Sequence, residues 1–160
     1  MVRFKNRYFA VEVNPTGKQQ KVPFYLNSYA LQASILKKVE QLHGDFGIAA
    51  VQAGFTAKYC NKWTRIAMIR TRHGPHRLVA STLPMMNDVS GHQITLHTLY
   101  VGATLQQCYR FVRRYQQRQL IKIWSVLKTD EERHAMETAV MDLKPLESFI
   151  SPQHPGKKSS

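Results

Sequence analysis

Carboxylates are scarce in most of this sequence. Residues 1–128 hold four of them (Glu12, Glu40, Asp45 and Asp88) against 19 lysines and arginines, a net of +15. None of the four stands beside another, so a two-metal nuclease site has no ligands there. A folded body with such an excess repels itself unless a polyanion neutralises it. Nucleic acid is the commonest such partner, and an anionic membrane surface the next. Cysteine is scarce as well. Cys60 and Cys108 make no disulfide framework and suit small buried thiols in a reducing compartment. No apolar run approaches the roughly 18–20 residues of a membrane helix. The basic start Met1-Val2-Arg3-Phe4-Lys5 is followed by no apolar stretch of the kind a secretory signal carries. His73-x-x-His76 and His92…His97 lack cysteine or carboxylate partners, so no zinc site is expected. No Ser-His-Asp or Cys-His arrangement stands out, and His97 reads as a packed strand residue.

What is present is an ordinary globular composition. The chain has 160 residues, 43 % of them apolar, enough for one domain with a real core. Charge changes sign late in the chain. Residues 129–142 carry a net of −4, and residues 143–160 a net of +2 with a composition rich in Pro, Ser, Lys and His. The boundaries expected from this are a domain over 1–142 and a flexible basic tail over 143–160.

Hydrophobic periodicity gives the elements. Residues 3–13 read as a strand, followed by the turn signal Asn14-Pro15-Thr16-Gly17 and a polar loop, Lys18-Gln19-Gln20-Lys21. Leu31, Ile35, Leu36, Val39 and Leu42 recur at helical spacing, with Asn27 or Ser28 as cap and Gly44 as stop. Residues 48–60 alternate as a strand, and a turn at Asn61-Lys62-Trp63 leads to a second strand over 64–72. Pro75 opens a short helix that ends at Pro84, residues 87–91 read as a loop, and 94–101 alternate again. A strong helix spans about 104–118. Residues 120–127 break its phase and read as a separate, more buried helix. Thr129-x-x-Glu132 is a capping box for an acidic helix to about Met141. The order β-α-β-β-α-β, with further helices at the end, predicts an α+β sandwich: an RRM-like, ferredoxin-like antiparallel sheet with packed helices.

The helix at 104–118 is the most informative element. At 100° per residue, Leu105, Cys108, Val112 and Tyr115 share one side. Gln106, Gln107, Arg110, Arg113, Arg114, Gln117 and Arg118 share the other, with no carboxylate among them. Solvated helix faces usually mix both signs. A face of Arg and Gln alone fits phosphate, ribose and base edges. The turn Gly102-Ala103-Thr104 before it is either an ordinary tight turn or a place where backbone amides meet an anion at the helix N-terminus. It is not a P-loop, since no Gly-Lys-Ser/Thr follows.

Three further groups have two readings each. Arg3, Lys5 and Arg7 alternate along the first strand beside Tyr8, either as a nucleic-acid face or as a charged edge that deters aggregation. Lys58, Tyr59, Lys62, Trp63 and Arg65 gather at the middle hairpin, with Arg70, Arg72 and Arg77 towards its other end; the aromatics are either base-stacking platforms or core. The ribonucleoprotein consensus of RRM domains is absent, so base stacking on the sheet face is not expected. Leu120, Ile123, Trp124 and Leu127 form either a subunit interface or plain core packing.

Taken in order, several motifs resemble one family. They are Arg3-Phe4-Lys5-Asn6-Arg7-Tyr8, His43-Gly44-x-Phe46-Gly47, Gly54-Phe55, Lys58-Tyr59-x-Asn61 and Ile69-Arg70-x-Arg72. Ser81-x-Leu83-Pro84, Leu99-Tyr100-Val101-Gly102-Ala103-Thr104-Leu105-x-x-Cys108 and Tyr115-x-x-Arg118-Gln119-Leu120 complete the series. Over residues 1 to about 140 the chain resembles the Pop-five protein subunits of ribonuclease P and ribonuclease MRP. The sequence departs from that pattern at Ala103, where family members often carry Gly, and at Gln106, where they often carry a basic residue.

The resemblance implies a non-catalytic subunit that braces a large catalytic RNA. The particles remove the 5′ leader from precursor tRNA and process precursor rRNA. Mg²⁺ serves the RNA component, and no cofactor is expected on this chain. The implied partners are that RNA, precursor tRNA indirectly, a TIM-barrel-like subunit and a fold-related small subunit, with no membrane. The implied location is the nucleus and nucleolus of a eukaryotic cell. The RNA contacts it implies fall on Gly102–Thr104, on Arg110, Arg113, Arg114 and Arg118, and on Arg3–Tyr8. Lys58, Lys62, Arg70, Arg72 and Gln107 join them from the residue chemistry. Two other readings stand beside this one: a generic RNA-binding module, such as a ribosomal protein or an RRM-like adaptor, and a protein-interaction scaffold.

Overall fold

The computed structural model describes residues 3–17, 24–147 and 149. Its centre is a five-stranded antiparallel sheet. Strand β1 (Asn6–Pro15) lies between β3 (Ile66–Arg72) and β5 (His92–Gly102); β2 (Thr56–Asn61) flanks β3, and the two-residue β4 (Asp88–Val89) flanks β5. Helix α1 (Ser28–Gln52) joins β1 to β2, and α2 (His76–Thr82) lies between β3 and β4. Three helices close the chain: α3 (Leu105–Trp124), α4 (Asp130–Val140) and α5 (Lys144–Glu147). The order β1-α1-β2-β3-α2-β5 and the strand arrangement are those the sequence predicts for a ferredoxin-like α+β sandwich.

Both faces of this sheet are covered, and the two sides of β1 show it. Phe9, Val11 and Val13 point into a core with Leu31, Ile35 and Val39 of α1 and Val79 of α2. Ala10 and the half-buried Tyr8 point the other way, into a core with Met68, Cys108, Val112, Leu143 and Leu146. Burying each large apolar side chain contributes about 1.5–3 kcal/mol, so α3 is held on its face as α1 is on the opposite one. A strand covered on both faces carries apolar residues at consecutive positions. The Cys108 thiol also donates to the Tyr8 carbonyl at 3.2 Å, tying α3 to β1. Burial raises the pKa of Cys108 to about 11.

Several expected boundaries are corrected. Residues 48–52 are helical, not strand. Gly44 takes the left-handed φ of 68° expected of a helix stop, but the chain kinks there and resumes its helix. Gly47 and Val51, one turn apart, then face inward. Helix α3 runs unbroken to Trp124, so 120–127 is not a separate helix. Its buried ladder is Cys108, Val112, Gln116, Leu120, a strict four-residue spacing with one polar member. Within 87–91, Asp88 and Val89 pair with β5 through a turn in which Ser90 and Gly91 have φ of 54° and 81°. Leu143 and Leu146 are buried and Phe149 packs against them, so the domain extends past the expected boundary at 142. Residues 150–160 and the Lys18–Lys21 loop lie outside the described residues. The capping predictions hold at α1 and α4: Asn27 Oδ1 accepts from the Tyr29 amide at 2.9 Å, and Thr129 Oγ1 from the Glu132 amide at 3.3 Å.

Gln116 is fully buried, and neither its amide oxygen nor its nitrogen has a partner among the described residues. An unmet buried amide costs about 1–3 kcal/mol, and methionine has nearly its volume. Gln116→Met is expected to raise the urea midpoint of the isolated chain by an amount worth about 1 kcal/mol; an unchanged or lowered midpoint shows that the amide is satisfied.

Candidate nucleic-acid interface

Seating α3 by its Cys108–Val112 side fixes where its other side points. Gln106, Gln107, Arg110, Arg113, Arg114, Gln117 and Arg118 are all exposed, in the division the helical wheel predicts. The four arginines run along about 12 Å of helix at 1.5 Å per residue. No acidic residue lies on α3, so no intrahelical ion pair neutralises them. Among the described residues the one ion pair is Arg133–Asp130 at 3.4 Å, on α4. Glu12 of β1, whose carboxylate reaches α3, accepts from the Tyr115 hydroxyl at 3.1 Å and from Asn14 Nδ2 at 3.2 Å. Burial and that carboxylate push the Tyr115 phenol up to about 12, so it stays a neutral donor.

The N-terminus of α3 meets the start of β1. Residues 3–8 and Ala103, Thr104 and Leu105 line one groove of about 580 Å³. Two motifs nearly a hundred residues apart in sequence thus share one wall. Within it, Thr104 and Gln107 act locally. Thr104 Oγ1 accepts from the Gln107 amide at 3.3 Å, and Gln107 Oε1 accepts from the Ala103 amide at 3.2 Å. Their side chains are capping groups, and the helix's remaining first-turn amides face the groove end.

Gly102 has a different role from the one the turn chemistry offers. It is buried, and a Cβ there would lie 3.0 Å from Tyr100 Cε1 and 3.1 Å from Cys108 Sγ. Its small size lets α3 close onto β5; it does not present an amide to solvent.

The sheet adds cations at the same end. Arg70, Tyr8 and Gly102 stand side by side on β3, β1 and β5, and Arg72 is opposite Asn6. Lys58 on β2 is opposite Met68, so its side chain leaves the sheet on the α3 face. Aromatic rings cover these cations. Phe149 lies 5.8 Å from the Arg70 guanidinium and 6.0 Å from Lys58 Nζ, and Phe4 lies 4.2 Å from the Arg72 guanidinium. Phe4 itself is exposed. Nothing in sequence spacing joins Phe4 to Arg72 or Phe149 to Arg70.

Not every expected residue joins this surface. Lys62 lies at the far end of the β2–β3 hairpin, about five residues or 17 Å from Arg70 along the strand. There its ammonium donates to the Tyr25 hydroxyl at 2.8 Å and sits 5.6 Å from the Trp63 ring. Tyr59 is a core residue: its hydroxyl donates to the Phe24 carbonyl at 2.8 Å. Arg3 and Lys5 are exposed but precede β1, so strand alternation does not place them. Arg7 is on the opposite face from Tyr8, close to His76. Of the expected interface group, Leu120 is 6 % exposed and belongs to the chain's own interior. Trp124 is 39 % exposed, Ile123 and Leu127 are half-buried, and Ile121 and Val126 beside them are more exposed than any of the four. No group of three or more His, Cys, Asp or Glu among the described residues is placed to hold a metal ion.

Residues 7–113 match the profile described as the Rpp14/Pop5 family. The chain is 34 % identical over 144 residues to the cattle (Bos taurus) protein named ribonuclease P/MRP protein subunit POP5, covering 88 % of this chain and 84 % of that one. It is 32 % identical to the human (Homo sapiens) protein of the same name, over 88 % of this chain and 87 % of that one. Its fold is similar to that of a chain in a cryo-EM structure of yeast ribonuclease MRP, with a TM-score of 0.52, 11 % identity, and coverage of 94 % of this chain and 99 % of that chain.

The packing role of Gly102 is open to test. Gly102→Ala is expected to destabilise the fold by about 1–3 kcal/mol, because Tyr100 and Cys108 must both give way. Unchanged stability in chemical denaturation would return Gly102 to an exposed, ligand-facing role.

Proposed function

The chain belongs to the Rpp14/Pop5 family, and from that membership we propose that it is an RNA-binding protein subunit of ribonuclease P, ribonuclease MRP or both. The observation that carries the RNA-binding part is the exposed stripe Arg110, Arg113, Arg114 and Arg118, with no carboxylate partner and with apolar packing directing it outward. Guanidinium forks match phosphate oxygens two at a time, and glutamines between them reach phosphate or ribose. Lys58, Arg70 and Arg72, the aromatic Phe4 and the groove at the start of β1 extend the same surface. The α3 helix occupies the sheet face on which an RRM stacks bases, so recognition here is of folded RNA by shape and backbone charge.

In this reading the chain supplies no catalytic group. It neutralises and positions an RNA that does the chemistry, with Mg²⁺ serving that RNA, in the nucleus and nucleolus of a eukaryotic cell. Removal of a precursor tRNA 5′ leader or precursor rRNA processing is then the activity of the whole particle. The exposed Ile121, Trp124 and Val126, rimmed by Asp130, Glu131 and Glu132 of α4, form the surface offered to protein subunits of that particle.

Arg113→Ala combined with Arg114→Ala tests the stripe, since both side chains are exposed and the fold does not depend on them. Each phosphate contact contributes about one to the slope of log affinity against log salt. The double variant is expected to weaken RNA binding and to lower that slope by about 2. An unchanged slope removes α3 from the RNA interface.

A further inference from the structure

A second group of cations lies at the turn between β3 and α2, and it shares Arg7 with the groove described above. The turn between β3 and α2 brings the His73 and His76 rings into a stack, 5.1 Å between centroids and 28° apart. Arg7 of β1 and Arg77 of α2 lie beside His76. Backbone bonds hold the arrangement. The His73 amide donates to the Lys5 carbonyl at 2.7 Å, so the basic N-terminal segment is tied to this turn. The Gly74 amide donates to His76 Nδ1 at 3.1 Å. Gly74 takes a φ of 103°, which suits glycine and delivers that amide to the ring. Nδ1 is thereby an acceptor, and the proton of the neutral ring sits on Nε2.

The charges acting on His76 are His73 on the turn, Arg7 on β1 and Arg77 on α2; no carboxylate is among them. Burial, and then these positive neighbours, hold the His76 imidazolium below its usual range. Four cation-forming groups thus share one place, and none of the charges that act on His76 is negative. A phosphate seated there would reverse the sign of that environment and favour protonation of His76.

We propose that Arg7, His73, His76 and Arg77 form a second phosphate-binding site for the RNA backbone, one that takes up a proton when it is filled. This rests on the RNA-binding reading and adds a pH-dependent contact to it. Its position supports the link. Arg7 itself lines the groove at the start of α3, with Asn6 and Tyr8, and its charge also acts on His76. A single phosphodiester strand crossing the end of β1 can touch both sites.

The proposal makes binding and protonation mutually reinforcing. In NMR pH titrations of the full chain, the His76 pKa is expected to rise by at least about one unit when a 30-nucleotide RNA hairpin saturates it. RNA affinity of the wild type is expected to rise about three- to tenfold from pH 8 to pH 6. The His73→Asn, His76→Asn double variant is expected to lose most of that rise. A His76 pKa that does not move while RNA binds overturns the proposal, as does an equal pH dependence in the double variant. A rise with inorganic phosphate and none with RNA assigns the site to a free anion and overturns it too. Absence of RNA binding at every pH instead overturns the parent reading.

Discussion

The packing of α3 across the second face of the sheet is the contact on which the rest depends. Cys108 and Val112 sit against Ala10 and Met68, and the Cys108 thiol reaches the Tyr8 carbonyl. Because a helix has only one inward stripe, this choice leaves four arginines and three glutamines outside. The same contact closes the sheet face that would otherwise stack bases. It also sets the N-terminus of α3 against the start of β1, which makes the groove. Gly102 permits the approach, since any side chain there would strike Tyr100 and Cys108.

Electrostatics follow from the same division. The apolar terms that fold the chain come from both sheet faces, whereas Lys58, Arg70 and Arg72 gather at one end of the sheet and four arginines lie along α3. With a net of +15 over residues 1–128, that arrangement is self-repelling in isolation. Among the described residues no ion pair falls on the basic body, and in the proposed function the counter-charge is that of RNA. Acidic residues are gathered on α4 at the opposite end of α3, beside exposed Ile121, Trp124 and Val126.

Much of this was legible in the residues. The element order gave the sheet topology, and the helical wheel of α3 separated its two faces correctly. The errors have physical causes. Residues 48–51, Ile-Ala-Ala-Val, are all apolar, and such a run has no period to tell strand from helix. Gly44 does interrupt the helix, as a stop should, but a second helical segment follows at once and packs through Gly47 and Val51, so α1 runs on across the kink. Gln116 hid the continuity of α3 by placing an amide on its buried ladder. Leu143 and Leu146 were masked by the polar composition around them, though they are spaced to pack one short helix. At the site, the arginine stripe was readable, but its neighbours were not. Phe4 against Arg72, Phe149 against Arg70 and Lys58, and His73 on His76 are tertiary meetings that no local pattern encodes.

The most direct test of the central claim is to purify the tagged full-length chain from its source cells, sequence the RNA that comes with it and assay the eluate for removal of a precursor tRNA 5′ leader. One or two abundant structured RNAs together with 5′ cleavage are expected. A diverse RNA population without cleavage, or no RNA at all, would contradict the claim.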